Sequence, residues 1–307
     1  MPVTVSPELF ADVSTSSGGQ LSICYQTYGD PSAEPLLLIM GLGGPMTWWN
    51  PALCELLAEA GFYVIRFDNR DVGRSTRMTG RVSAGMLVAA FVGAHVAAPY
   101  SLGDMADDAF GLLTHLGIES AHVCGISMGG MIAQTMAVAH PERVRSLTSV
   151  MSTTGQRTVG WQHPSILPAM LSTARDRESY VRNSERMWRL VGSPNFASTA
   201  EENRSRAEET WDRGVSASGT GRQTLAVLTQ PNRNADLRRV AVPTTVVHGL
   251  ADKMVHVSGG RTTSLSVPGS ELVLIDGMGH DLPRALWPTF VRVIRRTADR
   301  ARRGVAP

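Results

Sequence analysis

One serine of this sequence lies in a pattern typical of a catalytic nucleophile. Residues 125–129 read Gly-Ile-Ser-Met-Gly, a G-x-S-x-G motif between an apolar run at 121–125 and a run with helical spacing at 129–139. A serine on a tight strand-to-helix turn holds its hydroxyl clear of the backbone, and small residues on either side let strand and helix approach closely. A serine in an ordinary glycine-flanked loop is the alternative, which the adjoining patterns disfavour. We therefore predict that Ser127 is a nucleophile.

A serine hydroxyl attacks a carbonyl only when a base takes its proton, so a histidine must accompany Ser127. Among the eight histidines, His280 follows a strand pattern that ends in the glycine turn 277–279, near the end of the chain, and we predict that it is this base. His248, at a strand end, is expected to be a satisfied buried histidine. Three others lie at predicted helix or strand ends and are expected to be structural: His115, His122 and His140. Nothing in the sequence favours catalysis by the last three: His95, His163 and His256.

The base needs a carboxylate that holds its tautomer and offsets the charge it gains. Asp252 follows a predicted strand and lies 28 residues before His280, and the chain order Ser, Asp, His is the one that accompanies a G-x-S-x-G turn. The rival position follows the predicted strand 144–151, but no acidic residue occurs between Glu142 and Asp176. Two other aspartates flank the histidine, where neighbours in sequence rarely point at the same ring edge: Asp276 and Asp281. Asp252 is therefore the predicted third member.

The oxyanion formed by such an attack requires two backbone N–H donors. Met128, directly after the nucleophile at a helix start, is one predicted donor, and Leu42 is the other because it lies in the glycine-rich turn 41–45 after the apolar run 35–40. A nucleotide-binding turn is the alternative for these glycines. Its spacing would require glycine at position 46, which is Met46.

Residues near the glycine-rich turn are candidates for a substrate pocket. We predict that an apolar pocket is lined by four residues: Met40, Trp48, Trp49 and Trp161. For the two consecutive tryptophans, core packing is an equal alternative. The charged turn at 68–74 could belong to the active site, but an ion-paired brace for the loop is the favoured interpretation.

The elements that would position these residues alternate between strands and helices. Apolar or alternating runs predict seven strands, at 20–28, 35–40, 62–68, 121–125, 144–151, 242–247 and 271–275. Helical spacing predicts helices at 50–60, 101–116, 129–139 and 283–302. The apolar stretch 84–100 is predicted to be a buried or lid-forming helix, because it is shorter than the ~20 residues of a membrane helix. Strand, helix, strand repeats indicate an α/β protein with a mostly parallel sheet.

The segment between the fifth and sixth of these strands differs from the rest in composition and in its hydrophobic pattern. From about residue 153 to 230 it contains three tryptophans, many charged residues and helical runs without a strand pattern. We predict a helical cap at 151–234 inserted into a core domain formed by 1–150 and 235–307.

Composition excludes several classes of protein. The chain has 307 residues, of which 43% are hydrophobic and 18% charged, an ordinary globular composition. A net charge of +2 gives no excess for binding nucleic acid, and no insertion into a membrane is expected. The three scattered cysteines fit neither a disulfide framework nor a zinc site, and the first residues lack a secretory pattern. A cytoplasmic location is expected.

The motifs together resemble those of the α/β-hydrolase superfamily over nearly the whole chain. Four segments, LIMGLGG, FDNRDVGRST, GISMGG and GMGHDLP, are similar to those of actinobacterial esterases of the aclacinomycin methylesterase type, which cleave the methyl ester of an aromatic polyketide. The resemblance implies an eight-stranded, mostly parallel sheet with a helical cap, and a Ser-His-Asp mechanism that needs neither metal nor cofactor. One departure is Met40, where many relatives carry histidine, which affects pocket shape rather than the donor at Leu42.

These observations predict a serine esterase that acts through an acyl-enzyme on a small-molecule ester, apolar or aromatic in character. A thioesterase or a perhydrolase could use the same triad, since the sequence does not reveal the acyl acceptor. A non-catalytic protein that holds a small ligand is a further alternative, and a filled triad disfavours it. Monomer and homodimer are both open.

Overall fold

The protein contains one mixed sheet of eight strands. A computed structural model describes residues 2–15, 18–170, 172 and 174–302. The strands are β1 (Leu9–Ser14), β2 (Gln20–Tyr28), β3 (Glu34–Ile39), β4 (Phe62–Phe67), β5 (Ala121–Ile126), β6 (Val144–Val150), β7 (Thr244–Gly249) and β8 (Glu271–Ile275). Their order in the sheet is β1-β2-β4-β3-β5-β6-β7-β8. β2 is antiparallel to both β1 and β4, and all other neighbours are parallel, which confirms the predicted fold class.

Two strands differ from the sequence prediction by more than one residue at a boundary. β1 was not predicted because only two of its six side chains, Ala11 and Val13, are buried, while the large Phe10 faces solvent. β7 begins at Thr244 rather than at 242, because Pro243 has no N–H to donate to the ladder.

Helices cover both faces of the sheet. They are α1 (Pro51–Glu59), α2 (Ala84–Phe91), α3 (Leu102–His115), α4 (Met128–Ala139), α5 (Leu167–Met170), α6 (Arg177–Val191), α7 (Ala200–Gly214), α8 (Ala217–Leu228), α9 (Asn234–Leu237), α10 (Ser258–Ser266) and α11 (Trp287–Arg302). In β3, Leu37 and Ile39 pack in one apolar cluster with α3 and α4, whereas Leu36 and Leu38 pack in the opposite cluster with α1 and α11. Burial on both faces explains why β3 is a continuous apolar run.

The apolar stretch at 84–100 forms a helix only in its first half. α2 ends at Phe91, because Gly93 takes a φ of 92°. The Gly93 N–H donates to Ala90 O and the Ala94 N–H donates to Ala89 O, a glycine-terminated helix end. α2 packs against α8. Among the described residues, no helix is both long and apolar enough to cross a membrane.

Between β6 and β7 the described residues form helices and no strand. Two buried arginines of this helical segment reach the loop that follows β4: Arg213 of α7 contacts Asp68 at 2.7 Å, and Arg222 of α8 contacts Asp71 at 2.6 Å. The predicted boundary of a cap at 234 falls at the first residue of α9, and the cap remains a prediction.

Candidate active site

Ser127 occupies a strained turn between β5 and α4. Its φ of 55° and ψ of −120° lie outside the regions that non-glycine residues favour. The Ser127 N–H donates to Val150 O at 2.9 Å, which ties the turn to the neighbouring strand β6. Such strain persists only where surrounding packing imposes it, and it lifts the side chain away from the strand.

The two glycines of the motif are required by close packing. A Cβ on Gly125 would lie 2.1 Å from Gly129 O, and a Cβ on Gly129 would lie 2.1 Å from Ile39 O. Both contacts are with backbone atoms, which cannot move aside cheaply. The strand, the helix and β3 can therefore meet under Ser127 only where side chains are absent.

His280 and Asp252 form a close pair. His280 Nδ1 lies 2.7 Å from Asp252 Oδ2, while Asp252 Oδ1 accepts the N–H groups of Met254 and Val255 at 2.8 and 2.9 Å. Burial by itself raises the pKa of Asp252, but the charge of His280 and hydrogen bonds from His248 and His280 hold that pKa well below its usual range. Asp252 is therefore ionised, as the partner of a histidine base must be.

A second imidazole lies behind the same carboxylate. His248 Nε2 is 2.8 Å from Val255 O and 3.5 Å from Asp252 Oδ2, and the side chain is fully buried. Its Nδ1 has no hydrogen-bond partner among the described residues, so the expectation of a satisfied histidine holds for one nitrogen only. The position of His248 at the end of β7, just before Asp252, was the sequence feature that could have indicated this contact.

Ser127 and His280 lie on the wall of one cavity of about 1690 Å³. Among the described residues, no hydrogen bond joins the Ser127 hydroxyl to the His280 ring, a looseness common in sites without substrate. The structure thus brings Ser127, His280 and Asp252 into one region, and their catalytic roles stay predictions.

The glycine-rich turn after β3 lies against the nucleophile. A Cβ on Gly41 would lie 3.2 Å from Ser127 Cβ, so the turn passes directly beside the hydroxyl. Within the described residues no group accepts the Leu42 N–H. Met128 is the first residue of α4, and the N–H of a first helical residue has no partner inside the helix. Both predicted donors are thus available to a ligand oxygen.

Gln223 of α8 holds this turn and was missed by the sequence analysis. Its Oε1 accepts the Gly43 N–H at 2.8 Å and its Nε2 donates to Arg70 O at 2.9 Å. The side chain is fully buried. No local pattern marks Gln223, because its partners lie far away in the chain.

The charged turn after β4 braces the glycine-rich turn 41–45. Asn69 Nδ2 donates to Met40 O at 3.0 Å, and Asp68 Oδ1 accepts the Met46 N–H at 2.7 Å. Arg70 pairs with the buried Asp108 at 2.6 Å. These contacts agree with the favoured interpretation of the turn as a brace.

The loop that carries His280 is bound to the segment after α6. The His280 N–H donates to Val191 O at 2.7 Å, and the Gly279 N–H donates to Ser193 Oγ at 2.9 Å. Ser193 also donates to the buried Asp281. The position of His280 therefore depends on residues of the helical segment between β6 and β7.

Of the four predicted pocket residues, the structure brings two to the cavity. Met40 and Trp48 line it. The expectation for Trp49 and Trp161 is corrected: Trp49 is buried in the core beside α1, and Trp161 is half exposed and stacks on His256. Consecutive residues at the end of a short 3-10 helix point in different directions, so Trp48 and Trp49 cannot share one environment.

Comparison with known proteins places this geometry in a family. Residues 34–283 match the model of the α/β-hydrolase fold family. Rhodomycin D methylesterase DauP of Streptomyces sp. strain C5 is 29% identical over 90% of this chain and 94% of its own. Rhodomycin D methylesterase DnrP of Streptomyces peucetius is 26% identical with the same coverage.

Solved structures show the same fold. An enol-lactonase from Burkholderia xenovorans LB400 superposes with a TM-score of 0.72 at 16% identity, covering 94% of this chain and 99% of that one. A thermophilic esterase from Thermogutta terrifontis gives a TM-score of 0.69 at 21% identity with the same coverage. The chain belongs to the α/β-hydrolase family.

Proposed function

We propose that the protein is a serine esterase that hydrolyses carboxylic esters through an acyl-enzyme. The observation that carries this proposal is the His280–Asp252 pair, 2.7 Å apart, on the same cavity as the strained Ser127. A buried ionised aspartate, a histidine and a serine on the cavity wall are the parts that acyl transfer requires.

The mechanism assigns one step to each group. His280 Nε2 takes the proton of the Ser127 hydroxyl as its oxygen attacks the ester carbonyl, and Asp252 stabilises the imidazolium that forms. The N–H groups of Leu42 and Met128 donate to the oxyanion. His280 then gives the proton to the leaving alcohol, and water activated by the same base releases the acid from Ser127.

The relatives and the cavity favour a particular kind of ester. Both relatives named above are methylesterases, which supports a small alcohol and a large acid part. A cavity of about 1690 Å³ exceeds the need of a simple acetate, and it is lined by several methionines and aromatic residues. The proposed substrate is a methyl or similar ester of a large apolar or aromatic acid, held under a helical cap formed by 151–234.

Location in the cytoplasm is part of the proposal. The three cysteines, Cys24, Cys54 and Cys124, are free and buried, and burial raises the pKa of the Cys54 thiol to about 12. Unpaired buried thiols suit a reducing compartment.

The test is hydrolysis of 4-nitrophenyl esters from acetate to laurate, together with a fluorophosphonate label located by mass spectrometry. Ser127→Ala should lower kcat by about four orders of magnitude or more and abolish the label, because the nucleophile is removed. Ser32→Ala, a change in an exposed turn, is the matched control and should leave the label on Ser127.

Substantial hydrolysis by a folded Ser127→Ala variant would contradict the assignment. Absence of both label and turnover in the folded wild-type protein would instead indicate a protein that only binds its ligand.

A further inference from the structure

Two tryptophans and an arginine form a continuous wall on one side of the cavity. Trp48 contacts Trp188 edge to face, with ring centroids 5.2 Å apart, and Arg206 Cζ lies 3.9 Å above the Trp188 ring. Trp48 Nε1 donates to Thr210 Oγ1 at 2.9 Å, which fixes that ring. Trp48, Trp188 and Arg206 all line the cavity that contains Ser127, and we call them the Trp48–Trp188–Arg206 wall.

Arg206 lacks the partners that its burial would require. Its one side-chain hydrogen bond goes to Asn203 Oδ1, and no carboxylate within the described residues forms an ion pair with it. Its Nε is buried without a hydrogen-bond partner in the described part of the chain. By contrast, Arg213 and Arg222 of the same helical segment each contact an aspartate.

Two other arginines have an unpartnered Nε, but their surroundings differ. Arg66 and Arg233 each direct their terminal nitrogens to three acceptors of the protein, and neither lines the cavity. Burial lowers the pKa of Arg206 and the charges of Asp281 and Glu202 raise it, so the protein around Arg206 compensates only in part for the cost of its charge. Donors left unsatisfied on a cavity wall are those that a ligand oxygen can satisfy.

The carboxylates of the cavity are engaged or exposed. Glu202 accepts the Thr199 N–H at the start of α7, and Ser193 donates to Asp281, whose pKa is raised by burial. Two others are exposed to solvent: Glu201 and Glu209. Asp281 and Glu202 act on Arg206 through their charges, but among the described residues none of these four carboxylates forms an ion pair with its guanidinium.

We propose that Arg206 binds an anionic oxygen of the substrate, so that the acid part of the ester carries a planar ring with a carboxylate or phenolate. The ring would lie against Trp188 and Trp48, where an aromatic face is favourable, and the oxygen would receive N–H groups of the guanidinium. The inference rests on the proposed function, because it describes the substrate of that site.

The test compares two esters that differ only in the anionic group: 4-nitrophenyl 3-(4-carboxyphenyl)propanoate and 4-nitrophenyl 3-phenylpropanoate. The quantity measured is the ratio of their kcat/KM values. In Arg206→Met, which keeps an apolar stem over Trp188, this ratio should fall by about 10- to 100-fold relative to wild type, the worth of one charge-assisted contact. Arg206→Lys keeps the charge without the planar fork and should give an intermediate ratio.

Arg204→Met is the matched control on the same helix. Arg204 is half exposed and pairs with Glu208 at 3.1 Å, so the ratio should stay at the wild-type value. An unchanged ratio in Arg206→Met, or an equal fall in both rate constants, would overturn the inference and leave the esterase assignment intact. Hydrolysis of neither ester by folded wild type, with no fluorophosphonate label on Ser127, would contradict the proposed function itself.

Discussion

Ser127 and His280 lie on one cavity, but different parts of the molecule hold them. The sheet and its packed helix hold Ser127, through Val150 and the glycine contacts with β3. Residues between β6 and β7 hold the other two parts instead. Val191 and Ser193 contact the His280 loop, and Gln223 contacts the glycine-rich turn. The difference indicates that the helical segment helps to position both His280 and the glycine-rich turn, in addition to its proposed role as a cap.

The largest effect should come from crowding the nucleophile turn. In Gly129→Ala the new Cβ would meet Ile39 O at 2.1 Å, and we expect a loss of about 3 kcal/mol or more in the free energy of unfolding, together with loss of turnover. Gly85→Ala in α2, where a Cβ meets nothing closer than 3.8 Å, is the control. Thermal unfolding measures the stability of both variants, and 4-nitrophenyl ester hydrolysis measures their turnover. A stable, active Gly129→Ala protein would show that the turn is not held by this packing.

A smaller effect is expected from a substitution at Gln223, where α8 contacts the glycine-rich turn. Gln223→Leu leaves the Gly43 N–H and Arg70 O without partners, so kcat should fall by about 10- to 100-fold with little change in KM, since the turn acts mainly on the transition state. Gln223→Glu keeps the acceptor for Gly43 and should lose less.

Steady-state kinetics and the rate of fluorophosphonate labelling check this prediction, with the exposed Gln20→Leu as control. A change confined to KM would indicate that Gln223 shapes the pocket only.

A weaker effect should follow at the histidine loop. Ser193→Ala removes the hydroxyl that bonds Gly279 and Asp281. It leaves the bond from the Ser193 N–H to Asp281 Oδ1 and the backbone bond between His280 and Val191. We expect a fall of about 3- to 10-fold in kcat/KM, since part of the positioning survives. Turnover across a pH series measures it. Complete inactivation of a folded variant would show that Ser193, rather than the backbone contact, carries the position of the base.

The smallest effect on turnover, and a clear one on stability, concerns the strand beneath the nucleophile. Burial lowers the pKa of His122 in β5 from 6.5 to about 4. Between these two pH values His122 is protonated in the unfolded chain and neutral in the folded protein. Stability should therefore fall as pH drops from 6.5 towards 4, by about 3 kcal/mol, and level off below. Asp71, whose pKa is lowered mainly by Arg222 against the opposing effect of burial, keeps its contribution until pH falls below 3.8.

Denaturant unfolding at several pH values tests this order. His122→Asn should flatten the slope between pH 6.5 and 4, and an unaltered slope would assign the acid sensitivity to other groups.

The grouping of Ser127, Asp252 and His280 could be predicted from sequence because each of them follows a strand at the same edge of the sheet. Ser127, Asp252 and His280 come after β5, β7 and β8, and the carboxyl ends of parallel strands meet. The contact of Gln223 with Gly43 could not be predicted, since it joins residues 180 positions apart. The prediction that Trp49 lines the pocket was wrong for another reason. Whether a turn residue faces a cavity or the core depends on backbone angles, which the hydrophobic pattern of the sequence does not indicate.

The bond between the His280 N–H and Val191 O joins main chain to main chain. Such a bond does not depend directly on which side chains the two contacting segments carry. The cavity-facing residues of α6, among them Met187 and Trp188, can therefore be exchanged in evolution or by engineering while the histidine keeps its place. If the proposed function holds, new substrate preferences should be accessible in this scaffold without moving His280.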